Sequence, residues 1–344
     1  MDNCIITNEQ LKVFVGHLTA KGNVVGVKKK ENKFAFGPLS DPDDLVLDYD
    51  VTLTPPKQYL FPQWEELLRF ETKPTVKVEA VMDASPITVI GVHPYDLKAI
   101  NQIDRFYEDQ QPDNHYMKRR ENMTIIAVTP KRASKWSFWS SMDSAYVTTG
   151  YDLMLTDIGG KYLVEVGTSR GEELLKKYAK TEKTTPEDLQ KREKIRLSLA
   201  TICESKRKLF PPLSEVPALI ESSYESKVWE KQAEKCYSCG SCVLICPTCV
   251  CFDVQEELNL NLKGGKRWRV WDGCLLENFA KIGSGENFRE ERKDRFRHRF
   301  FRKGVYLHQR FGEVYCVGCG RCSEACLPDI ADPVQVIGKL KENL

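Results

Sequence analysis

Two stretches in the last third of the chain decide its fold: CYSCGSCVLICP at residues 236–247 and CVGCGRCSEACLP at residues 316–328. Each stretch contains four cysteines that are separated by two, two and three residues. Glycine and serine stand between the first three cysteines, and such small residues let a backbone turn tightly around a bound group. Two equal runs of thiols on tightly turning loops indicate metal binding.

The cysteines are unevenly distributed along the 344 residues of the chain. Only Cys4 and Cys203 precede residue 236, and the other eleven of the thirteen lie between Cys236 and Cys326. An odd number of cysteines in a chain of this size argues against a disulfide framework. The sequence therefore predicts a cysteine-poor part followed by a metal-binding part.

The spacing of the two runs is the one by which bacterial ferredoxins hold two [4Fe–4S] clusters, and in that pattern the fourth cysteine of each run binds the other cluster. We therefore expect two crossed ligand sets: Cys236, Cys239, Cys242 and Cys326 for cluster one, and Cys316, Cys319, Cys322 and Cys246 for cluster two. Zinc sites use separated pairs of cysteines around one ion, which fits these runs poorly. The second run departs from the pattern slightly, because its proline, Pro328, comes one residue late.

Three further cysteines of this part belong to neither run: Cys249 and Cys251 in CPTCVCFD, and Cys274 in WDGC. Cysteine is a good small core residue, so packing near the clusters is the plainer interpretation. The alternative is a third metal site that a distant residue completes. Side chains alternate in direction along an extended chain, so Cys249 and Cys251 would face one metal only if the chain bends between them.

A basic segment rich in aromatic residues, FREERKDRFRHRFFRKG, lies between the two runs at residues 288–304. The favoured interpretation is a helix face exposed to solvent or to a docking partner. The second is adjustment of the cluster potentials, because cations near thiolate-bound iron favour the reduced state. Nucleic-acid binding comes third, since the formal net charge of the chain is only +2.

The part before the cysteine runs alternates segments typical of strands and of helices, which predicts an α/β domain with a partly parallel sheet. Strands are predicted at residues 34–37, 75–81, 86–93, 123–130 and 161–167, and helices at residues 6–18, 64–70, 95–107, from about 171, and 184–208. In the last helix Thr185, Pro186 and Asp188 form a capping box, and the helix is expected to lead, solvated, away from the first domain.

Pro211, Pro212 and Pro217 mark the expected domain boundary. We predict an N-terminal α/β docking domain at residues 1–213 and a dicluster ferredoxin-like domain at residues 214–344. The second domain is expected to carry a basic insert at residues 253–315.

Motifs for other chemistries are missing from the sequence. It contains no GxGxxG loop between a strand and a helix, no P-loop and no nucleophile elbow. Of the five histidines, His93 stands out because it ends a buried strand beside Pro94 and Asp96. No stretch approaches the roughly 18 apolar residues of a membrane span, and the N-terminus lacks the features of a secretory signal. We therefore expect a cytoplasmic protein with neither a membrane nor a nucleic acid as partner.

Several blocks of the sequence resemble one family, which comprises the iron–sulfur electron-transfer subunit of anaerobic sulfite reductase and the beta subunit of sulfhydrogenase-type soluble [NiFe] hydrogenases. The cysteine-rich part resembles it in CYSCGSCVLICPTCVCFD, KRWRVWDGC, FREERKDRFRHRF and CVGCGRCSEAC. The N-terminal part is similar in TPPKQYLFPQWEELLRF, GVHPYDLKAINQIDRFY and GYDLMLTDIGGKYLVEVG. The resemblance extends from about residue 30 to about residue 330.

The resemblance implies a non-catalytic electron-relay subunit of an anaerobic, cytosolic oxidoreductase complex. In such complexes the relay lies between a flavin subunit that reacts with NAD(P)H and a terminal reductase or hydrogenase subunit, so flavin is expected on a partner. In the family that the sequence resembles, many members carry cysteine at the position of Tyr95, and cysteines also occur at the positions of Ser137 and Trp139. If those cysteines hold an additional N-terminal cluster in the relatives, this chain has lost it.

Two rival functions stay open at this point. One is a self-contained flavin-dependent iron–sulfur oxidoreductase. The other is an oxygen-sensing regulator that binds nucleic acid through the basic segment.

Overall fold

The computed structural model describes residues 3–343, and its strands form two sheets. The strands are β1 (Cys4–Thr7), β2 (Asn23–Lys30), β3 (Lys33–Pro38), β4 (Trp64–Glu71), β5 (Lys77–Ala80), β6 (Ile87–Val92), β7 (Met123–Val128), β8 (Leu153–Asp157), β9 (Lys161–Val166), β10 (Glu182–Lys183), β11 (Phe252–Leu258) and β12 (Gly264–Trp271). The larger sheet has eight strands in the order β10–β1–β9–β8–β7–β6–β2–β3. The smaller sheet has four, in the order β11–β12–β4–β5.

The centre of the larger sheet is parallel, as the alternation of strands and helices predicts. Strands β2, β6, β7 and β8 run parallel to one another, and the outer strands pair antiparallel with them. Every residue of β7 is buried, which is typical of a parallel strand covered on both faces. The predicted strands at residues 86–93, 123–130 and 161–167 are confirmed as β6, β7 and β9.

The helices cover this sheet and build the cysteine-rich part. They are α1 (Asn8–Thr19), α2 (Pro94–Glu108), α3 (Asn114–Asn122), α4 (Ser169–Tyr178), α5 (Pro186–Glu204), α6 (Val216–Ser222), α7 (Val228–Ala233), α8 (Ser241–Leu244), α9 (Arg292–Phe301), α10 (Leu307–Phe311), α11 (Arg321–Glu324) and α12 (Pro333–Glu342). Helix α5 begins with the predicted capping box of Thr185 and Asp188. No helix within residues 3–343 is both long and apolar enough to cross a membrane.

The helix predicted at residues 64–70 is wrong, because this segment forms strand β4. Its apolar residues suit either a helix or a strand, and pairing with distant strands decides between the two. Strand β4 pairs with β12 on one side and with β5 on the other. Glu65 of β4 is buried and bonds Arg119 and Arg269, which also fixes the strand.

The expectation that α5 leads away, solvated, from the first domain is wrong for the second half of the helix. Leu199 and Cys203 are almost completely buried, and they lie in one apolar cluster with Tyr95 and Trp139. The helix therefore packs against the loop that follows β7. The pairing of β4 with β12 also joins strands from the two sides of residue 213 in one sheet.

Candidate iron–sulfur site

The two cysteine loops have the same backbone conformation. Ser238 and Gly318, at equal positions in the two runs, have φ of 52° and 64°. Gly240 and Gly320 have φ of 73° and 79°, and the short helices α8 and α11 start directly after them. Glycine adopts this left-handed conformation without strain, which explains its place between the cysteines. The two loops therefore make matching turns between their first three cysteines.

Four thiols of the predicted cluster-two set lie close together. Cys246, Cys316 and Cys322 line one apolar cavity. Burial raises the pKa of Cys316 to about 12, and the neighbouring thiols of Cys322 and Cys246 add to this shift. Burial also raises the pKa of Cys319, with a further contribution from Cys246. Thiols that are buried so close together resist ionisation on their own, and an iron–sulfur cluster would stabilise their thiolate forms.

The predicted cluster-one set lies nearer the surface. Burial raises the pKa of Cys242 to about 12, and the nearby Cys326 thiol contributes although it belongs to the second run. Cys239 is exposed, and a hydrogen bond with Ser241 at 3.3 Å lowers the pKa of its thiol. The Cys236 sulfur accepts a hydrogen bond from a backbone N–H of its own loop at 3.4 Å. Bonds of this kind to sulfur tune the potential of a bound cluster.

The basic segment folds as helix α9, and part of it turns inward to the cysteine loops. Arg292 donates to the backbone oxygen of Cys236 at 2.9 Å, and Arg295 donates to Ser238 Oγ at 3.2 Å. Arg299, one helical turn further on, is 2% exposed. The interpretation of the whole segment as a solvent-exposed face is therefore wrong. Its inner face suits the second interpretation, adjustment of the cluster potentials.

Lys303 continues this inner face and reaches the cluster-two cysteines. Its Nζ donates to Cys246 Sγ at 3.3 Å, to Thr248 Oγ1 at 2.6 Å and to the backbone oxygen of Tyr315 at 3.2 Å. Burial alone would lower the pKa of Lys303, but the thiols of Cys246 and Cys249 raise it. The lysine therefore stays charged beside the sulfur of a predicted cluster ligand.

The second cysteine loop is docked on the α/β part of the chain, at the carboxyl ends of β6 and β7. The backbone N–H of Phe138 donates to the Gly318 oxygen at 2.8 Å, and Ser144 Oγ donates to the Val317 oxygen at 2.7 Å. Ligand sites of α/β sheets are commonly built at this edge. The loop after β7 thus forms a surface against which the second cysteine loop packs, and we call this surface the floor of the cluster-two site.

The positions at which the resemblance implies cysteine in other family members, Tyr95, Ser137 and Trp139, lie in this same floor. Tyr95 and Trp139 stack with their ring centroids 6.5 Å apart and share an apolar cluster with Cys319. Ser137 Oγ donates to the Cys319 backbone oxygen at 3.4 Å. Aromatic side chains and a hydroxyl therefore fill the place beside Cys319 where those members carry thiols.

His93 lies behind this floor and has a structural environment. Its ring stacks on Tyr49 at 3.9 Å between centroids, and Nδ1 lies 2.9 Å from the Tyr95 hydroxyl. Burial holds the pKa of His93 well below its ordinary value, and the positive charge of Arg321 lowers it further. The side chain is therefore a neutral core residue.

The three remaining cysteines of this part are close neighbours in space. Cys249, Cys251 and Cys274 line one pocket. Lys57 donates to the backbone oxygen of Cys249 at 2.8 Å, and burial lowers the pKa of this lysine to about 8. Within residues 3–343, no group of three or more His, Cys, Asp or Glu side chains is arranged to hold a single metal ion.

Sequence reasoning missed several of these contacts. Arg321 stands between Cys319 and Cys322 in the sequence, so its position was a visible signal for a role at cluster two. The spacing of Arg292, Arg295 and Arg299 by three and four residues was a second signal, because it aligns them on one helix face. Nothing in the sequence near Lys57 points to the cysteines.

Comparison with known proteins agrees with this geometry. Residues 235–330 match the family model described as 4Fe-4S dicluster domain. The chain is also 29% identical over 341 residues to sulfhydrogenase 2 subunit beta of Pyrococcus furiosus, and the match covers 98% of each chain. Over nearly its whole length the chain is therefore similar to the beta subunit of a sulfhydrogenase, and its cysteine-rich part matches a 4Fe-4S dicluster domain. It is thus an iron–sulfur electron-transfer subunit that binds [4Fe–4S] clusters.

Proposed function

We propose that the chain relays single electrons inside a multisubunit oxidoreductase, between a flavin subunit that reacts with NAD(P)H and a terminal reductase or hydrogenase subunit. Two [4Fe–4S] clusters supply the one-electron chemistry, and the chain holds them and sets their potentials. The ligand sets are Cys236, Cys239, Cys242 and Cys326 for cluster one and Cys316, Cys319, Cys322 and Cys246 for cluster two.

Cys246 is the residue that supports this arrangement most directly. It ends the first run, yet it lines the same cavity as Cys316 and Cys322 of the second run. Cys326 of the second run interacts in turn with Cys242 of the first. Exchange of the fourth cysteine joins the two centres in one folding unit, so that neighbouring electron sites are held close to each other. Such a pair suits a relay.

The position of the two centres also suits a relay between partners. Cys239 is exposed, whereas Cys319 is buried against the α/β part of the chain. Cluster one therefore has a side open to a docking protein. The name of the Pyrococcus relative describes it as the beta subunit of a sulfhydrogenase, and the nearly full-length match favours a hydrogenase-type complex for this chain too.

The proposal is tested by anoxic affinity purification of the chain from its native host, with identification of the co-purifying proteins by mass spectrometry. A flavin subunit together with a terminal reductase or hydrogenase subunit is the expected result. A chain that purifies alone, with bound flavin and with NAD(P)H-dependent dye reduction, would overturn the relay in favour of a self-contained enzyme.

The ligand sets are tested by Cys239→Ser and Cys319→Ser, with Cys4→Ser as the matched control in strand β1. Each of the first two variants is expected to lose one cluster and to stop electron flow through the complex, whereas Cys4→Ser keeps both. Full iron content and full turnover in Cys239→Ser and Cys319→Ser would contradict the assignment.

A further inference from the structure

The pocket lined by Cys249, Cys251 and Cys274 is built by two segments that a β-ladder holds in register. Phe252 pairs with Trp271, and the backbone N–H of Asp272 donates to the Cys251 oxygen at 3.1 Å. Cys251 and the WDGC segment are therefore fixed side by side. The thiols converge because the two strands are paired, although residues 251 and 274 are far apart in sequence.

Cys249 and Cys251 line the same pocket although only one residue separates them. Val250 between them packs in the core of the large sheet and also lines the pocket. Gly273 brings Cys274 close, because a Cβ on this glycine would lie only 2.4 Å from Val243 Cγ2. A side chain at position 273 would push the loop away from the pocket.

The charges around the pocket favour a bound anion. Arg299, Arg302 and Lys303 line it, and within residues 3–343 none of the three forms an ion pair with a carboxylate. Buried cations are costly without a counter-charge, so inward-facing basic side chains normally have one. Arg299 and Lys303 also line the cluster-two cavity, but Arg302 does not. Of these two cavities, Arg302 therefore lines only the three-cysteine pocket.

We propose that this pocket is a third [4Fe–4S] site, with Cys249, Cys251 and Cys274 as thiolate ligands and Asp272 as an oxygen ligand. Asp272 is the one carboxylate among the described residues that line the pocket, and its only side-chain hydrogen bond there is from the neighbouring Gly273 N–H. A cubane cluster needs space between its ligands, unlike a single ion, and a thiolate-bound cluster carries negative charge that would balance the three basic residues.

The site goes beyond the two-cluster relay and extends it. The backbone N–H of Cys249 donates to the backbone oxygen of Cys246, a proposed ligand of cluster two, at 3.3 Å. A cluster held by Cys249 would therefore be the immediate neighbour of cluster two, and Lys303 and Arg299 would stand between them. The chain would then hold three neighbouring clusters, and electrons could pass from one to the next.

The test is iron and acid-labile sulfide analysis of the full chain, purified and reconstituted without oxygen. The wild type is expected to hold about twelve iron atoms, four for each of three [4Fe–4S] clusters. Cys251→Ala and Cys274→Ala are expected to lose about a third of the iron, and Cys4→Ala is the control that keeps all of it. Cys249 is left unchanged because it lies directly beside Cys246, a proposed ligand of cluster two.

The role of Asp272 has its own readout. Asp272→Ala is expected to convert the third site to a three-iron cluster, visible in the EPR spectrum of the oxidised protein, while Asp272→Cys keeps four irons there. If the EPR spectrum of Asp272→Ala shows no three-iron signal, the assignment of Asp272 as a ligand is overturned.

The iron content of the wild-type protein tests the third site even where a variant fails to fold. About eight iron atoms in the wild type would overturn the third site and leave the two-cluster relay standing, and about four would contradict both. Zinc in place of the additional iron, or an unchanged iron content in Cys251→Ala and Cys274→Ala, would also overturn the third site.

Discussion

The guanidinium of Arg321 and the carboxylate of Asp96 form a bidentate ion pair, with N–O distances of 2.6 and 2.7 Å. The two side chains are 1% and 0% exposed. Arg321 lies between two cluster-two cysteines, whereas Asp96 lies in the first turn of α2, and Thr52 accepts two more bonds from Arg321. The pair therefore locks the second cysteine loop onto the α/β sheet.

Breaking this pair is expected to destabilise the whole chain. Asp96→Asn leaves the buried charge of Arg321 without its counter-ion, which typically costs about 3–5 kcal/mol. The measurement is the free energy of unfolding from urea titration of the cluster-loaded protein without oxygen. The double variant Asp96→Leu/Arg321→Met removes both charges and is expected to be less destabilised than Asp96→Asn. Equal losses in the two proteins would show that the ion pair does not cause the effect.

Gly320 is expected to tolerate no side chain. A Cβ at this position would lie 2.5 Å from the backbone carbon of Trp136, and φ is 79°. Gly320→Ala should therefore lift the cysteine loop from its floor, with loss of cluster two and about 2 kcal/mol or more of unfolding free energy. Iron content and the urea midpoint measure this.

The control is Gly338→Ala in helix α12, where no atom lies within 4 Å of the added Cβ. Alanine is the better helix former, so this variant should keep all its iron and gain up to about 1 kcal/mol. Normal iron content in Gly320→Ala would contradict the close packing of the loop.

Local patterns predict the features that local chemistry decides. The capping residues Thr185 and Asp188 can be read from neighbouring positions, and the cap is confirmed. The parallel strands β6 and β7 are visible as short apolar runs, because burial on both faces leaves no alternation. The clusters themselves follow from cysteine spacing, since the loop geometry is local.

Contacts between distant segments cannot be predicted in this way. The segment of strand β4 suits a helix by its local pattern, and its partner β12 lies about two hundred residues later, at Gly264–Trp271. For the same reason the sequence does not predict the contact of Lys57. This lysine lies in a proline-marked turn and donates to the backbone oxygen of Cys249. The inward face of α9 is visible as spacing, but only the fold shows that Arg299 is buried between cysteines rather than solvated.

His298 predicts how stability depends on pH. Burial lowers the pKa of His298 to about 4, and the positive charges of Arg289 and Arg302 contribute. Below the ordinary pKa of about 6.5 the unfolded chain takes up a proton that the folded chain does not, so stability falls as the pH drops from about 6.5 toward 4.

His298→Gln removes this loss, since glutamine does not titrate. Because the histidine is only partly buried, the variant is expected to exceed the wild type by about 1 kcal/mol at pH 5 and to match its pH dependence above pH 7. Urea titrations at both pH values measure the difference. Parallel losses in the two proteins between pH 7 and pH 5 would show that His298 takes up its proton equally in the folded and the unfolded chain.

Lys303 is expected to raise the reduction potential of cluster two. Its ammonium donates to Cys246 Sγ at 3.3 Å, and a positive charge there favours the reduced cluster, which carries one more negative charge. Lys303→Met keeps much of the volume and removes the charge. The potential should fall on the order of 60 mV, which corresponds to about 1.4 kcal/mol for one electron.

The measurement is an EPR-monitored redox titration of the full chain without oxygen, with two matched controls. Lys303→Arg keeps the charge and should restore most of the potential. Lys293→Met removes a charge from helix α9, which precedes Lys303, but this lysine is 43% exposed and pairs with Glu291 at 2.8 Å, so water and its partner already screen it. A fall of similar size in Lys293→Met would mean that overall charge, rather than the bond to Cys246, sets the potential. If the reduction potential of cluster two is unchanged in Lys303→Met, the lysine does not tune that cluster.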